Sequence, residues 1–272
     1  MFDRASALWH RINRVDISLI AAGIAFFGFL AIFPAIAAVI AIWGFAFDPI
    51  VIEKQLFLAQ DYLPAEAFEL IAGQVQRLLR TNSRELGLTT LISTILALWS
   101  ARAGVSALIG GLNSIHAYPQ RNGFWHIVRA IALTFALVGL ALSAMALAVV
   151  APLVIAFLPI GAAQAVGLEA ANFALGLLLV VLAIALTYWL GPNRPRGVPR
   201  PPTLTRGLFL AVLLWAAASR GLVFYFGNFH VYNQVYGSIG AVVALMFWFY
   251  ASAFAVLLGA AVDAEQAKNS TQ

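Results

Sequence analysis

The sequence predicts an all-α integral membrane protein, a six-transmembrane-helix bundle with amphipathic extracytoplasmic helices between helices one and two. Of its 272 residues, 62% are hydrophobic and only 10% are charged, whereas a soluble domain carries about 25% charged residues. The apolar runs are continuous, unlike the alternating segments of about ten residues in a membrane β-barrel. The chain has no cysteine, which excludes disulfides and thiolate metal sites. Its length suits a single membrane domain over residues 1–272.

The first predicted helix covers about residues 17–47 and follows an arginine-containing segment expected to lie at the membrane interface. Its apolar run is far longer than the roughly 7–15 residues of a signal-peptide core, so an uncleaved helix is predicted. Pro34 lies near the middle of this run. We expect a kink there, because proline removes a backbone donor.

Residues 48–85 have a different composition, with six acidic and four basic residues. Leu63 and Pro64 precede acidic residues in the pattern of a helix start, and apolar residues follow at helical spacing. This predicts short amphipathic helices outside the bilayer. Five apolar runs then predict the remaining helices, at about residues 86–116, 125–158, 170–190, 204–226 and 237–262.

The last predicted helix opens at Gly237 and has no charged residue up to Val262. Ala251, Ala255 and Gly259 are spaced four apart, so they share one face of this helix. Small residues at that spacing let another transmembrane helix approach closely. We therefore predict that this face packs against a neighbouring helix.

Counts of lysine and arginine near the helix ends indicate the orientation. Both termini and the loops at 117–129 and 191–206 carry basic residues, whereas the loops at 159–168 and 227–236 carry none. The consistent solution puts both termini in the cytoplasm and residues 48–85 outside. Attraction to anionic lipid headgroups then explains the net charge of +5. Membrane lipids are the expected partners, and no nucleic acid is implied.

Three strings carry a family resemblance. The string YNQVYGSIGAVVALMFWFYASAFAVLLGAAVDAE resembles the last helix of the YihY/BrkB family of bacterial inner-membrane proteins. The strings AAGIAFFGFLAIFPAIAAVIAIWG and LWSARAGVSALIGGLN resemble its first and second helices. The family usually ends its last helix in a GAELNAE-like string, where this chain has Ala261 in place of the first glutamate and Asp263 in place of asparagine. The resemblance implies an inner-membrane protein of the cell envelope that exports a lipid or an anionic metabolite.

Arg102 and Arg220 are the first candidates for a substrate site, because each lies inside a predicted span. A charge there costs at least about 2.5–3.5 kcal/mol on insertion scales and normally faces the protein interior or water. One interpretation is that they bind an anionic lipid or small molecule in a cavity. The other is structural, with each arginine capping carbonyls of a broken helix or pairing with Asp16, Asp263 or Glu265.

A polar set between the fifth and sixth helices gives further candidates for substrate contact or gating: Asn228, Tyr232, Asn233 and Tyr236. The alternative for this set is a loop that satisfies its own backbone and places tyrosines in the interfacial aromatic belt. Both interpretations stay open at this point.

No catalytic residue, metal site or cofactor is predicted. The chain has no Walker A, GxSxG or HExxH motif, and its four histidines lack acids or cysteines at ligand spacing. Family members have carried a ribonuclease label, but clustered carboxylates or histidines for two-metal phosphodiester chemistry are lacking in this sequence. We therefore expect that the protein is not an enzyme. The predicted kink in the first helix, the arginines inside spans and the many small residues suit a bundle that encloses a cavity, so we expect a transporter or translocator. The alternative is a non-transporting structural or assembly partner in the inner membrane.

Overall fold

The computed structural model describes residues 11–46, 72–73, 83–120, 124–157, 162–195, 197–198, 202–228 and 238–269. Most of the predicted extracytoplasmic segment lies outside these residues, as do Tyr232, Asn233, Tyr236 and Gly237. Regular structure in the described ranges is entirely helical, which confirms the all-α prediction. The long helices are α1 (Ile17–Ala46), α2 (Ser83–His116), α3 (Phe124–Phe157), α4 (Ala162–Leu190), α5 (Arg206–Asn228) and α6 (Ser238–Asn269).

Five of these helices, α2 to α6, contain stretches long and apolar enough to cross a membrane. In α1 the described apolar stretch is the shorter range Ile17–Ile32. The chain is therefore a membrane protein with several apolar helices. The sixth span and the helices outside the bilayer stay predictions.

Two helices extend beyond the ranges expected from hydrophobicity. The α4 helix begins at Ala162 instead of near residue 170, and α6 continues to Asn269 instead of ending near 262. The added segments, AAQAVGLE and DAEQAKN, are rich in alanine, glutamate, glutamine and lysine. These residues favour helix but are polar or, like alanine, only weakly hydrophobic. Hydrophobicity alone therefore ends each predicted helix at the limit of its strongly apolar run.

The chain divides into two compact units. The first, here called the terminal unit, consists of Met1–Ala22, Val105–Ala217 and Ala251–Gln272. The second, the internal unit, consists of Gly23–Gly104 and Ala218–Tyr250. The prediction of a single domain stays a prediction.

The terminal unit has a well-packed apolar core. Val105 and Ile109 of α2 pack with Ala130 and Leu133 of α3, and leucines of α3 and α4 surround them. Gly111 of α2 marks a close approach, because a β-carbon there would lie 2.9 Å from Ile20 and 3.1 Å from Leu257. The ends of α1, α2 and α6 therefore meet closely in this unit.

Within the internal unit, small residues again mark close packing. A β-carbon at Gly28 would lie 3.3 Å from the ring of Phe249, and one at Gly104 would lie 3.5 Å from Phe27. Trp248 Nε1 donates a hydrogen bond to Ser219 Oγ at 3.0 Å, joining α6 to α5. Pro34 lies inside α1.

Candidate anion-binding site

The C-terminus of α2 forms one wall of the candidate site. Ala117 has a left-handed φ of 54°, and its amide donates to Ser114 O while Tyr118 N donates to Asn113 O. These two bonds form a Schellman motif, in which alanine takes the position that glycine usually occupies. The reversal brings Tyr118 back against His116, and their rings stack with centroids 5.3 Å apart.

Arg11 ties the N-terminal helical segment to this wall and to α6. Its Nη1 donates to Ile115 O at 2.6 Å, which satisfies one of the carbonyls left open at the end of α2. Its Nε and Nη2 both donate to Glu265 Oε2, at 3.2 and 2.9 Å. Three segments distant in the chain thus converge on one guanidinium group.

A pocket of about 380 Å³ lies among these three segments. We call it the basic pocket, because Arg11, Arg14 and Lys268 all line it. Ser114, His116 and Tyr118 supply the remaining polar lining. Among the described residues that line the pocket none is acidic, and Glu265 contacts the lining residue Arg11.

Two polar groups of the α2 wall have orientations fixed by their hydrogen bonds. Gln120 Nε2 donates to Ser114 Oγ at 3.2 Å, so the Ser114 hydroxyl can still donate its own proton. His116 Nδ1 must donate to the carbonyl of Leu112, at 2.9 Å, because that oxygen only accepts. The basic pocket thus combines cations, a hydroxyl donor and an aromatic wall, which is the chemistry that binds phosphate or carboxylate groups.

A buried polar network lies behind the α2 wall. Asn113 is fully buried, and its Oδ1 accepts from the backbone amide of Asn193 at 2.6 Å. Asn193 Oδ1 in turn accepts from Arg129 Nη1 at 2.9 Å. Nearby, Arg194 caps α4 by donating to the carbonyls of Tyr188 and Trp189. These bonds fix the loop after α4 against the end of α2.

Of the residues predicted as substrate ligands, the structure describes Arg102, Arg220 and Asn228, and none of these three lines the basic pocket. Arg102 is half-buried in the internal unit, and its guanidinium carbon lies 5.9 Å from the ring centroid of Trp99. Arg220 is exposed in the same unit, and Asn228 is the last residue of α5. Whether the two arginines bind an anion stays a prediction.

Two of the three acids proposed as structural partners of those arginines contact other residues. Glu265 pairs with Arg11, and Asp263 accepts from Thr205 and from the amide of Gly207. Asp16 is exposed and has a left-handed φ of 52° at the junction before α1. Across the described ranges, His, Asp and Glu side chains form no group of three or more that could hold a metal.

Sequence reasoning did not identify the basic pocket. It used Arg11, Arg14 and Lys268 only as charges that set the orientation, and it considered His116 only as a metal ligand. Arg11 and Glu265 are 254 residues apart, so no local spacing connects them. The available signal was three arginines near the N-terminus and Lys268 near the C-terminus.

The fold and the site together define a multi-pass α-helical membrane protein with a basic pocket in its terminal unit. The family described as Virulence factor BrkB matches residues 8–272, and the chain belongs to this family. This confirms the resemblance carried by the helix strings.

Individual relatives agree with this assignment. A Bacillus subtilis protein named putative ribonuclease-like protein YfkH is 30% identical over 250 residues, covering 89% of this chain and 87% of that protein. A UPF0761 membrane protein from Xanthomonas axonopodis pv. citri is 28% identical over 255 residues, covering 90% of this chain and 53% of that protein. The chain thus spans about half the length of the Xanthomonas relative. No solved structure matches the present chain.

Proposed function

We propose that this chain is a bacterial inner-membrane protein that moves a lipid or an anionic metabolite across the bilayer, and that it is not an enzyme. The observation that carries the proposal is the basic pocket, where three cations and a stacked His116–Tyr118 pair surround about 380 Å³. That volume falls within the range of about 300–1,000 Å³ typical of small-molecule sites.

A translocator of a charged lipid must hold the headgroup while the apolar tail stays in contact with hydrocarbon. In the terminal unit, charged residues of the basic pocket occur with large exposed apolar side chains on the helices, such as Phe135, Phe209 and Leu213. Large exposed apolar side chains of this kind are suited to contact with lipid tails. The unit therefore offers both environments that an anionic lipid requires.

The distribution of lysine and arginine supports cytoplasmic termini, and with that orientation the basic pocket opens toward the cytoplasm. Anionic headgroups are attracted to such basic clusters at the membrane surface. Membrane lipids are the proposed partners, without nucleic acid and without a cofactor. The ribonuclease-like name belongs to the B. subtilis relative, and the proposal for this chain follows its lack of clustered carboxylates for phosphodiester chemistry.

The test is transport by the purified protein in liposomes. One arm measures flipping of a fluorescent phosphatidylglycerol by its accessibility to dithionite, and the other measures uptake of radiolabelled glycerol 3-phosphate. We expect activity above protein-free liposomes in one arm, and a loss of that activity in the double variant Arg14→Gln, Lys268→Gln. Arg206→Gln is the matched control, because Arg206 is an exposed arginine of the same unit outside the pocket lining.

Wild-type protein that matches protein-free liposomes in both arms would contradict translocation of these anions. That result would favour the structural or assembly role. Equal loss in the double variant and in the Arg206→Gln control would instead show that the basic pocket is not the transport site.

A further inference from the structure

The contact between Arg11 and Glu265 uses only part of the hydrogen-bonding capacity of the two side chains. Arg11 directs two donors, Nε and Nη2, at the single oxygen Oε2 of Glu265, at 3.2 and 2.9 Å. In the strongest arginine–carboxylate pairs, two parallel hydrogen bonds reach two different oxygens. The Arg11 edge that faces Glu265 therefore contacts one carboxylate oxygen, although its two donors could each reach a separate oxygen.

The surroundings of this pair hold Arg11 in place independently of Glu265. The side chains of Arg11 and Glu265 are 15% and 17% exposed, so the pair is mostly buried and keeps a small contact with water. Arg11 is meanwhile anchored by its third donor, Nη1, to Ile115 O at 2.6 Å, so it keeps its position when the carboxylate leaves.

We infer that Glu265 competes with the ligand for Arg11, which lines the basic pocket, and that a phosphate group of the ligand displaces Glu265 from Arg11. This inference rests on the proposed function and names the phosphate group as the part of the substrate that the pocket recognises. A tetrahedral phosphate can give one oxygen to Nε and another to Nη2, which Glu265 does not do in this structure. Arg14 and Lys268 line the same pocket and supply further positive charge.

The charge balance gives Glu265 a second effect. The basic pocket has three cationic lining residues, and the Glu265 carboxylate contacts one of them. An arriving phosphate meets like-charge repulsion from Glu265 until the carboxylate moves away. Glu265 therefore lowers the affinity for every anion and favours ligands that form two hydrogen bonds with Arg11 over those that form one.

The test compares phosphate binding by wild-type protein and the Glu265→Gln variant in neutral detergent. Glutamine keeps an oxygen for Arg11 and removes the negative charge. We expect the dissociation constant to fall by about threefold or more, the size expected for removal of one like charge near water. Glu169→Gln is the matched control, because Glu169 is an exposed carboxylate of α4 in the same unit. Arg11→Lys should weaken binding, because lysine keeps the charge but loses the planar fork.

Two probes separate the sources of the phosphate group. Radiolabelled inorganic phosphate reports recognition of the group alone, and dihexanoyl phosphatidic acid reports recognition of a lipid headgroup. Tighter binding of either probe to Glu265→Gln, with no change in Glu169→Gln, supports the inference. The probe that binds more tightly identifies the source of the phosphate group.

Unchanged or weaker binding by Glu265→Gln, when wild type binds, overturns the inference and leaves the pocket as an anion site. If the Arg11–Glu265 pair only stabilises the fold, the melting temperature should fall in Glu265→Gln and in Arg11→Lys while the affinity for phosphate stays constant. Failure of both proteins to bind either probe overturns the phosphate assignment. The liposome assay then decides the proposed function separately.

Discussion

Asp263 in α6 accepts a hydrogen bond from the backbone amide of Gly207 at 2.7 Å, which joins the end of α6 to the first turn of α5. Its other carboxylate oxygen accepts from the Thr205 hydroxyl. Thr205 Oγ1 accepts in turn from Leu208 N at 3.1 Å, so Thr205 is the N-cap of α5. Asp263, a residue of α6, thus accepts from the Gly207 amide in the first turn of α5, and its negative charge lies at the positive end of the α5 dipole.

Replacing Asp263 tests this cap. Asp263→Ala leaves the Gly207 amide without its partner, and we expect a loss of about 1–3 kcal/mol of stability, seen as a lower melting temperature in detergent. Asp263→Asn should cost less, because its carbonyl can accept from Gly207 and its amide can donate to Thr205 Oγ1. Glu169→Ala, at an exposed carboxylate of the same unit, is the control. A wild-type melting temperature for Asp263→Ala would show that the cap adds nothing to stability.

Gly259 lies at a close crossing of α6 with α5. A β-carbon at Gly259 would collide with the carbonyl oxygen of Gly207 and the hydroxyl of Tyr188, and would lie 2.9 Å from the β-carbon of Ala211. Tyr188 cannot move freely, because its hydroxyl donates to Val256 O at 2.6 Å.

We therefore predict that Gly259→Ala lowers the melting temperature and that Gly259→Leu lowers it further, because larger side chains force the helices apart. The control is Gly139→Ala in α3, where a β-carbon meets no atom within 4 Å. That change should be neutral or stabilising, since alanine favours helix by up to about 1 kcal/mol over glycine. Equal effects of the two alanine substitutions would contradict the close crossing.

The fold class follows from the sequence because burial in lipid demands long apolar runs, and α2 to α6 show them directly. The small-residue spacing through Ala255 and Gly259 likewise singled out a face of α6, and both residues are buried in the structure. The spacing does not indicate which helix packs against that face. The partners of Gly259, in the first turns of α5 and at the end of α4, emerge only from the three-dimensional packing.

The basic pocket could not be predicted for a related reason. Its cations come from opposite ends of the chain, and its His116–Tyr118 wall depends on a left-handed alanine that no residue preference indicates. A glycine at position 117 would have signalled the helix end. Helix ends were also misplaced where polar helix formers extend an apolar run, as in Asp263 to Asn269 of α6.

The orientation in the membrane can be tested by cysteine labelling, since the natural chain has no cysteine. Ser83 is the first residue of α2, and Thr203 lies exposed in the loop before α5. If both termini are cytoplasmic, Ser83→Cys should react with an impermeant maleimide on intact cells, and Thr203→Cys should react only after permeabilisation. Labelling of both variants on intact cells would overturn the six-span arrangement.

Arg102 and Arg220 provide the last prediction, which separates a second anion contact from a structural role. Arg102 lies over Trp99 on its own helix, a cation–π contact that stabilises the charge. If these arginines contact the anionic substrate, Arg102→Gln and Arg220→Gln should keep the wild-type melting temperature while transport in liposomes falls. Lysine should restore little transport, because it lacks the planar fork.

A structural role predicts a different pattern for the same variants. Glutamine would then lower melting temperature and transport together, and for Arg102 the loss would not add to that of Trp99→Leu, because both changes remove one contact. Arg206→Gln, at an exposed arginine at the start of α5, controls for the loss of one positive charge. Both glutamine variants showing wild-type stability and wild-type transport would exclude Arg102 and Arg220 from the substrate site, and would leave the basic pocket as the proposed anion site.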